Sequence, residues 1–439
     1  MYFKSIDINN YGCIEHLSYS FRFNSQGNPI PLILIGENGS GKTLVLSNLA
    51  DSLIEFKRQS FGNNLLEVKE ENYYKVGSKQ YIRLNTNTSR VVIKADCLGT
   101  EIKYTDIATK NPQLINDDKY VLPEDITNNE LFEGDGFSRL INGKIKRKDY
   151  SNFINLYFPT DRFYMPLWYN KENYKRIDYK TSTLAGKPKT NMIKLDILSN
   201  IREWLMYVYL QTEFQLLNSD QIKDWPQESS PQFFKFPIET PIQKNITQMF
   251  KAILNSNDFK HSSINRKSQN ISFSSNSFFC NDIDQLSEGQ MSLFAIALSI
   301  IKEWDIEHDD FNFKEIKGIV IIDEADLGLH IDYAHDAFPR MLRLFPNVQF
   351  IITTHSPFMI SGLLDHYGDD IDIVSMPDGT KITDVEVFEE MQKARQLFNA
   401  GIEKQKSEIK RLQLEITKLH DLNNQVITQT SQLNTASAS

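Results

Sequence analysis

The residues best suited to chemistry form one short run, Gly36-Glu37-Asn38-Gly39-Ser40-Gly41-Lys42-Thr43, which fits the pattern GxxxxGK[ST]. Glycines let a backbone curl until its N–H groups point at one place, and a following helix adds the positive end of its dipole. Lys42 supplies a mobile point charge and Thr43 a hydroxyl able to ligate Mg2+, so the run reads as a cradle for phosphate groups. Gly36, Asn38, Gly39, Ser40, Gly41, Lys42 and Thr43 are its candidate binding residues.

Three further pieces follow in order. Ile319 to Ile322 is an apolar run ending in Asp323 and Glu324, which puts two carboxylates at the carboxyl end of a buried strand, where open α/β sheets bind ligands. Asp323 is the expected Mg2+ partner of Thr43, and Glu324 is placed to orient or deprotonate an attacking water. The run Phe350 to Thr354 ends in His355, whose imidazole is within the chemistry of a γ-phosphate or that water. Leu286-Ser287-Glu288-Gly289-Gln290 precedes a helix, so Ser287, Gly289 and Gln290 form a second helix-start anion site. Each piece alone has a plainer reading: a turn after a strand, a structural histidine, an N-cap. Their order in one chain is what gives them weight. The catalytic candidates are Glu324, His355 and Lys42, and the metal candidates Thr43 and Asp323.

These residues need a sheet to position them. Alternation at Phe3, Ser5 and Asp7 predicts an opening strand, with a second at Tyr19 to Phe23. Pro31 to Ile35 then reads as a strand, the glycine-rich run as a loop and the stretch from Thr43 as a helix. Residues 81–104 are β-rich, and 110–150 read as loop. Helices are expected over Met192–Leu217, Pro241–Leu254, Ser292–Trp304 and Asp332–Phe345, and strands over Gly318–Ile322 and Val348–Ile352. Alternating strands and helices imply a largely parallel sheet. The expected division is a head in two parts (1–90 and 271–384), an insertion over 91–270 and a helical tail over 385–439.

Composition narrows the classes. The chain has 439 residues, 40% hydrophobic and 24% charged, so it has enough apolar residues for substantial cores. No run approaches the roughly 18 apolar residues of a membrane-spanning helix, and the start lacks the features of a signal peptide. Cys13, Cys97 and Cys280 are far apart. The expectation is a soluble protein of a reducing cytoplasm, with no membrane partner. The net charge is −9, yet residues 144–194 hold twelve lysines and arginines against four acids, interleaved with Tyr164, Trp168, Tyr169, Tyr174 and Tyr179. Such a stretch is either a solvated face or a surface for DNA or RNA.

With these residues in view, the chain resembles the ATP-binding-cassette (ABC) superfamily: GENGSGKT is similar to its Walker A motif, LSEGQ to its signature, IVIIDE to its Walker B, Ala325-Asp326 to its D-loop and His355 to its switch histidine. The opening IDINNYGCIEHL and the block from Asp323 to Ile360 resemble more narrowly the RecF/SMC/OLD-like branch, which includes ATPases of anti-phage systems such as PtuA of Septu and AriA of PARIS. The resemblance implies an α/β, ABC-type P-loop ATPase head with a mixed, largely parallel sheet, an inserted α/β subdomain and a C-terminal helical tail. It implies ATP and Mg2+ as ligands, and two heads sandwiching nucleotide, so that Ser287, Gly289 and Asp326 act across an interface. The usual glutamine loop has no obvious match, and Tyr157 to Arg162 occupies a comparable place, offering Thr160 or Arg162 to the nucleotide.

The function this resemblance implies is a nucleotide-driven dimerising switch that engages nucleic acid or a viral component and controls a separate effector, a nuclease. The chain beyond the last strands is too short for the Toprim nuclease of OLD proteins, so the nuclease is expected to be another chain. A RecF-like DNA-repair clamp and an ATP-stabilised scaffold are the alternatives. A transporter cassette fits poorly, because far more chain separates the P-loop from the signature than in transporters. In the tail, Ile402, Ile409, Leu412, Ile416, Leu419, Val426 and Leu433 follow a heptad frame. That predicts a helix that self-associates or holds a partner, the alternative being one that packs on its own head.

Overall fold

The computed structural model describes residues 1–61, 81–110, 137–160, 162, 192–194, 197–218, 240–265, 270–275, 279–280, 285–306, 308, 311–382, 400–401 and 404–418. The chain divides into two compact units, Met1–Thr383 and Asp384–Ser439.

In the first unit, β1 (Tyr2–Tyr11) buries Phe3, Ile6 and Ile8. The two-residue turn at Gly12 and Cys13 returns the chain as β2 (Ile14–Ser20), antiparallel to β1, so this strand begins earlier than the expected Tyr19–Phe23. β3 (Leu32–Ile35) is buried throughout and leads through the glycine loop into α1 (Lys42–Phe61). β4 (Thr88–Cys97) and β5 (Thr100–Thr109) form a hairpin, and β6 (Phe137–Asn142) pairs with β5. Among the described residues these strands make a five-stranded antiparallel sheet, ordered β2-β1-β4-β5-β6. β4 runs across the expected boundary at residue 90 and pairs with β1, so the chain after Thr88 extends the opening sheet.

The stretch expected as loop thus contains β6, and also α2 (Arg147–Tyr150). It is followed by β7 (Ile154–Phe158), all of whose residues are buried. α3 (Ile197–Asn218) and α4 (Pro241–Leu254) come next; α4 starts at a capping box between Thr240 and Gln243 with Pro241 in its first turn. β8 (Lys260–Asn265), β9 (Asn270–Ser274) and β10 (Phe279–Cys280) form a small antiparallel sheet. α5 (Glu288–Asp305) begins four residues before the expected Ser292, because Ser287 caps it.

The remaining elements are β11 (Lys317–Ile322), a π-helical turn at Tyr333–Ala337 continuing into α6 (Phe338–Leu344), β12 (Asn347–Thr353), α7 (Pro357–Tyr367), β13 (Asp372–Ser375) and β14 (Thr380–Ile382). The second sheet runs β14-β13-β3-β12-β11-β7. Its strands pair in parallel except for the edge strand β14. Near-continuous burial of β3, β7, β11 and β12 is what a parallel sheet covered on both faces demands. α1 lies in the core shared by the two sheets, where Leu46, Leu49, Leu53 and Phe56 join Phe3 and Ile8 of one and Ile319 and Ile351 of the other. α5 packs on α3, α4 and β7, with Phe294 meeting Phe250 at 4.6 Å between ring centroids.

In the second unit, residues 404–418 form a helix whose Ile409, Leu412 and Ile416 are exposed. Among the described residues no helix is long and apolar enough to cross a membrane.

Candidate functional site

Strand order assembles the site. β12 lies between β3 and β11, and β7 flanks β11 on the other side, all parallel. Their carboxyl ends therefore release, side by side, the glycine loop, the segment at His355, the acids Asp323 and Glu324, and the residues Pro159, Thr160 and Arg162. Neighbouring strands are about 4.8 Å apart, which brings side chains distant in sequence into contact.

The glycine loop turns through positive φ at Gly36 (142°), Gly39 (80°) and Gly41 (94°), and a Cβ at Gly41 would stand 2.9 Å from the Cys13 sulfur. Only glycine suits both demands at Gly41. Lys42 Nζ donates to the carbonyls of Gly36 and Glu37, each at 2.9 Å, and closes the loop on itself. Burial pulls the Lys42 ammonium below its ordinary pKa, while Asp323, Glu324 and Asp326 counteract that shift. Ser40 Oγ is buried with no hydrogen-bond partner, a hydroxyl suited to an acceptor within the loop. Glu37, Asn38 and Gly39 form the exposed tip.

Asp323 is the hub. Its Oδ2 accepts from the Thr43 hydroxyl at 3.0 Å and the Thr160 hydroxyl at 3.3 Å, and its Oδ1 from Thr353 at 2.6 Å. Thr353 Oγ1 in turn accepts from the amide of Glu324 at 2.7 Å. Glu324 is half-buried with φ at 46°, a left-handed conformation rare for a residue with a side chain. Thr160 thus stands beside the proposed metal residues, as one of the two alternatives read from the sequence. Arg162, the other, is fully buried and donates to the carbonyls of Asp323 and Glu324, so it lies beneath the acids instead of facing a nucleotide. Burial lowers its pKa to about 10, offset in part by Asp323, Asp326 and Glu324, which leaves it charged at neutral pH.

Asp326 Oδ1 accepts from Thr354 Oγ1 at 2.6 Å and from the His355 amide at 3.2 Å, within one chain, and the His355 side chain is exposed. Ser287 and Gln290 form a reciprocal capping box, and Gln290 Nε2 reaches the Tyr333 hydroxyl at 2.7 Å. Gly289 packs so closely on the backbone after the acids that a Cβ would lie 2.2 Å from the Gly328 carbonyl oxygen. Among the described residues, no hydrogen bond from Ser287, Gly289 or Gln290 reaches the glycine loop.

The basic segment separates into parts. Lys144, Lys146, Arg147 and Lys148 are exposed around α2, Arg162 is buried, and Lys194 pairs with Glu303 at 3.1 Å. The interleaved aromatics and the other cations lie outside the described residues. Thr353, Thr160 and Ser292, which reach the acids or Arg162, carry little sequence signal beyond two threonines closing an apolar strand and a Pro-Thr-Asp-Arg turn.

Comparison with known proteins adds to this geometry. Residues 184–361 match the family described as "AAA domain, putative AbiEii toxin, Type IV TA system". The chain is 21% identical over 359 residues to the Retron Vc95 probable ATPase of Vibrio cholerae serotype O1 biovar El Tor, an alignment spanning 75% of this chain and 66% of that protein. It is 35% identical over 83 residues to the Septu protein PtuA of Bacillus mycoides (strain KBAB4), covering 19% of this chain and 11% of that one. The chain thus spans just under two thirds of the first relative's length and a small part of the second's. Among solved structures, the SMC head domain from Thermotoga maritima aligns over 87% of this chain and 97% of that chain, with a TM-score of 0.40 and 14% identity. With its glycine loop and paired acids on neighbouring ends of one parallel sheet, the chain resembles ABC-type ATPases and is similar in sequence to ATPases of anti-phage defence systems.

Proposed function

We propose that the chain binds and hydrolyses ATP with Mg2+, and that the cycle drives dimerisation of two heads in anti-phage defence. The observation that carries this reading is the direct contact of Thr43 with Asp323, with Glu324 fixed beside them through Thr353. A hydroxyl and a carboxylate side by side offer the oxygen donors that Mg2+ prefers. Among the described residues no group of three or more His, Cys, Asp or Glu side chains could hold a metal alone, so phosphate oxygens and water would complete its shell. When bound, the ion neutralises charge on the phosphates. Gly36, Asn38, Gly39, Ser40, Gly41 and Lys42 hold the phosphates, Glu324 orients or deprotonates the attacking water, and His355 meets the γ-phosphate side.

The remaining roles are part of the same proposal. Ser287, Gly289, Gln290 and Asp326 serve the interface between two copies. The head comprises residues 1–90 and 271–384 together with β4 to β7, which complete its two sheets, with nucleic-acid recognition assigned to 144–194 and assembly to 385–439. A separate effector protein, a nuclease, is the output, and the cytoplasm its setting.

The test is ATP turnover and mass by light scattering. Glu324→Gln keeps shape and hydrogen bonding but removes the base, so turnover should fall by at least about a hundredfold while ATP holds two heads together. Lys42→Ala should weaken ATP binding itself. Wild-type turnover in Glu324→Gln overturns the assignment.

A further inference from the structure

Arg162 is buried at 0% exposure, and its three guanidinium nitrogens serve acceptors from separate parts of the fold. Nη1 donates to the Asp323 carbonyl at 2.9 Å and Nη2 to the Glu324 carbonyl at 3.1 Å. Nη2 and Nε donate to Ser292 Oγ at 3.1 and 3.4 Å, and Nη1 to the Pro159 carbonyl at 3.3 Å. The carbonyl of Arg162 accepts from the amide of Ile197, which ties it to the start of α3. Ser292 is itself buried, one turn beyond the Ser287 cap of α5.

Packing alone does not account for a guanidinium here. Taking its charge out of water is costly, and an apolar side chain would fill the space without that cost. What it supplies is a rigid planar fork, which lysine lacks. Two limbs hold consecutive carbonyls, those of Asp323 and Glu324, across the turn where Glu324 adopts φ 46°. Another limb holds the helix that begins with Ser287, Gly289 and Gln290.

We propose that Arg162 is a positioning residue that couples the first turns of α5 to the peptide carrying Glu324, so that Glu324 takes up its water-orienting position only when α5 is correctly seated. This rests on the ATPase reading of the site. Anything that docks on the exposed Ser287 end of α5, a second copy under that reading, is linked through Ser292 and Arg162 to Glu324.

The experiment uses the full chain with Ser292→Ala, which removes one limb, and Arg162→Lys, which keeps the charge and loses the fork. Each should lower kcat about ten- to hundredfold while KM stays within about twofold, as expected when a positioned group drifts by a fraction of an ångström. The two together should cost little more than either alone, and neither should lower the residual rate further in a Glu324→Gln background, a masking that a general structural defect would not show. If Arg162→Lys does not fold, Ser292→Ala and its combination with Glu324→Gln carry the test. Wild-type kcat in Ser292→Ala, or a raised KM at unchanged kcat, overturns the coupling and leaves the ATPase reading standing. A wild-type chain with no ATP turnover overturns both.

Discussion

Thr353 and Asp323 are joined by a buried hydrogen bond of 2.6 Å between neighbouring strand ends, and the same threonine oxygen receives the Glu324 amide. One hydroxyl therefore fixes the carboxylate expected beside the metal and the backbone of the expected base. Thr353→Val keeps the shape and removes both bonds. Stability to denaturant should fall by about 1–3 kcal/mol, the cost of leaving buried polar groups unpaired. Turnover should fall about tenfold or more, with ATP affinity largely kept by the glycine loop. Thr353→Ser should restore both. A valine variant with wild-type rate and stability would mean that Asp323 and Glu324 hold their places without it.

Asp372 is a second buried carboxylate with a different task. At 1% side-chain exposure it accepts from Arg22 and Tyr19 and pairs with Lys381, tying the chain around β2 to β13 and β14. Burial alone would raise its pKa, but the hydrogen bonds from Arg22, Lys381 and Tyr19 outweigh it and hold the carboxyl below its usual value. Its contribution to stability is thus fully present above the unfolded pKa of about 3.9 and is lost as pH falls through the lower folded value. Asp372→Asn should cost about 2 kcal/mol at neutral pH, modest for a buried pair because Arg22 and Lys381 remain within reach of water. Melting curves from pH 7 to 3 should show the gap to wild type closing below about pH 4. A gap independent of pH would show that the ion pairs contribute nothing.

The legible parts of this site are those whose signal is local. GENGSGKT declares its own backbone, and the strands before Asp323 and His355 are visible as apolar runs ending in polar groups. The capping box at Ser287 and Gln290 is equally local. What periodicity does not contain is lateral order: Thr353 meets Asp323 across 30 positions and Arg162 meets the Asp323 carbonyl across 161, because β12 and β7 flank β11. β7 itself was hidden inside a stretch expected to be insertion. A buried arginine in a basic segment looks like its exposed neighbours, since charge counts do not record burial.

Lys144, Lys146, Arg147 and Lys148 are the exposed described cations of that segment, and with Arg162 and Lys194 engaged elsewhere, they are the better test of polyanion binding. Neutralising Lys146, Arg147 and Lys148 together should weaken DNA or RNA binding and reduce the slope of log affinity against log salt by up to about 3, since each phosphate contact releases about one counterion. ATP turnover without nucleic acid should not change. An unchanged salt slope would make this a solvated face.

The tail gives the last prediction. On the helix at 404–418, Ile409 is 54% exposed, Leu412 46% and Ile416 65%. These are three of the apolar positions in the heptad frame begun at Ile402; Leu419, Val426 and Leu433 lie outside the described residues. An apolar stripe at this spacing matches the core positions of a coiled coil, in which Asn423 would fix register and strand number at some cost in stability. Charged Lys404, Lys406, Glu408, Lys410 and Arg411 flank it, while Leu414, 65% exposed, lies off the stripe. The tail is expected to drive self-association or to hold a partner protein without nucleotide. Removing residues 402–439 should lower the mass measured by light scattering in the absence of ATP, or release a copurifying partner, while ATP affinity stays unchanged. A truncated chain that keeps its assembly but melts at lower temperature would show that the helix serves the core of its own chain.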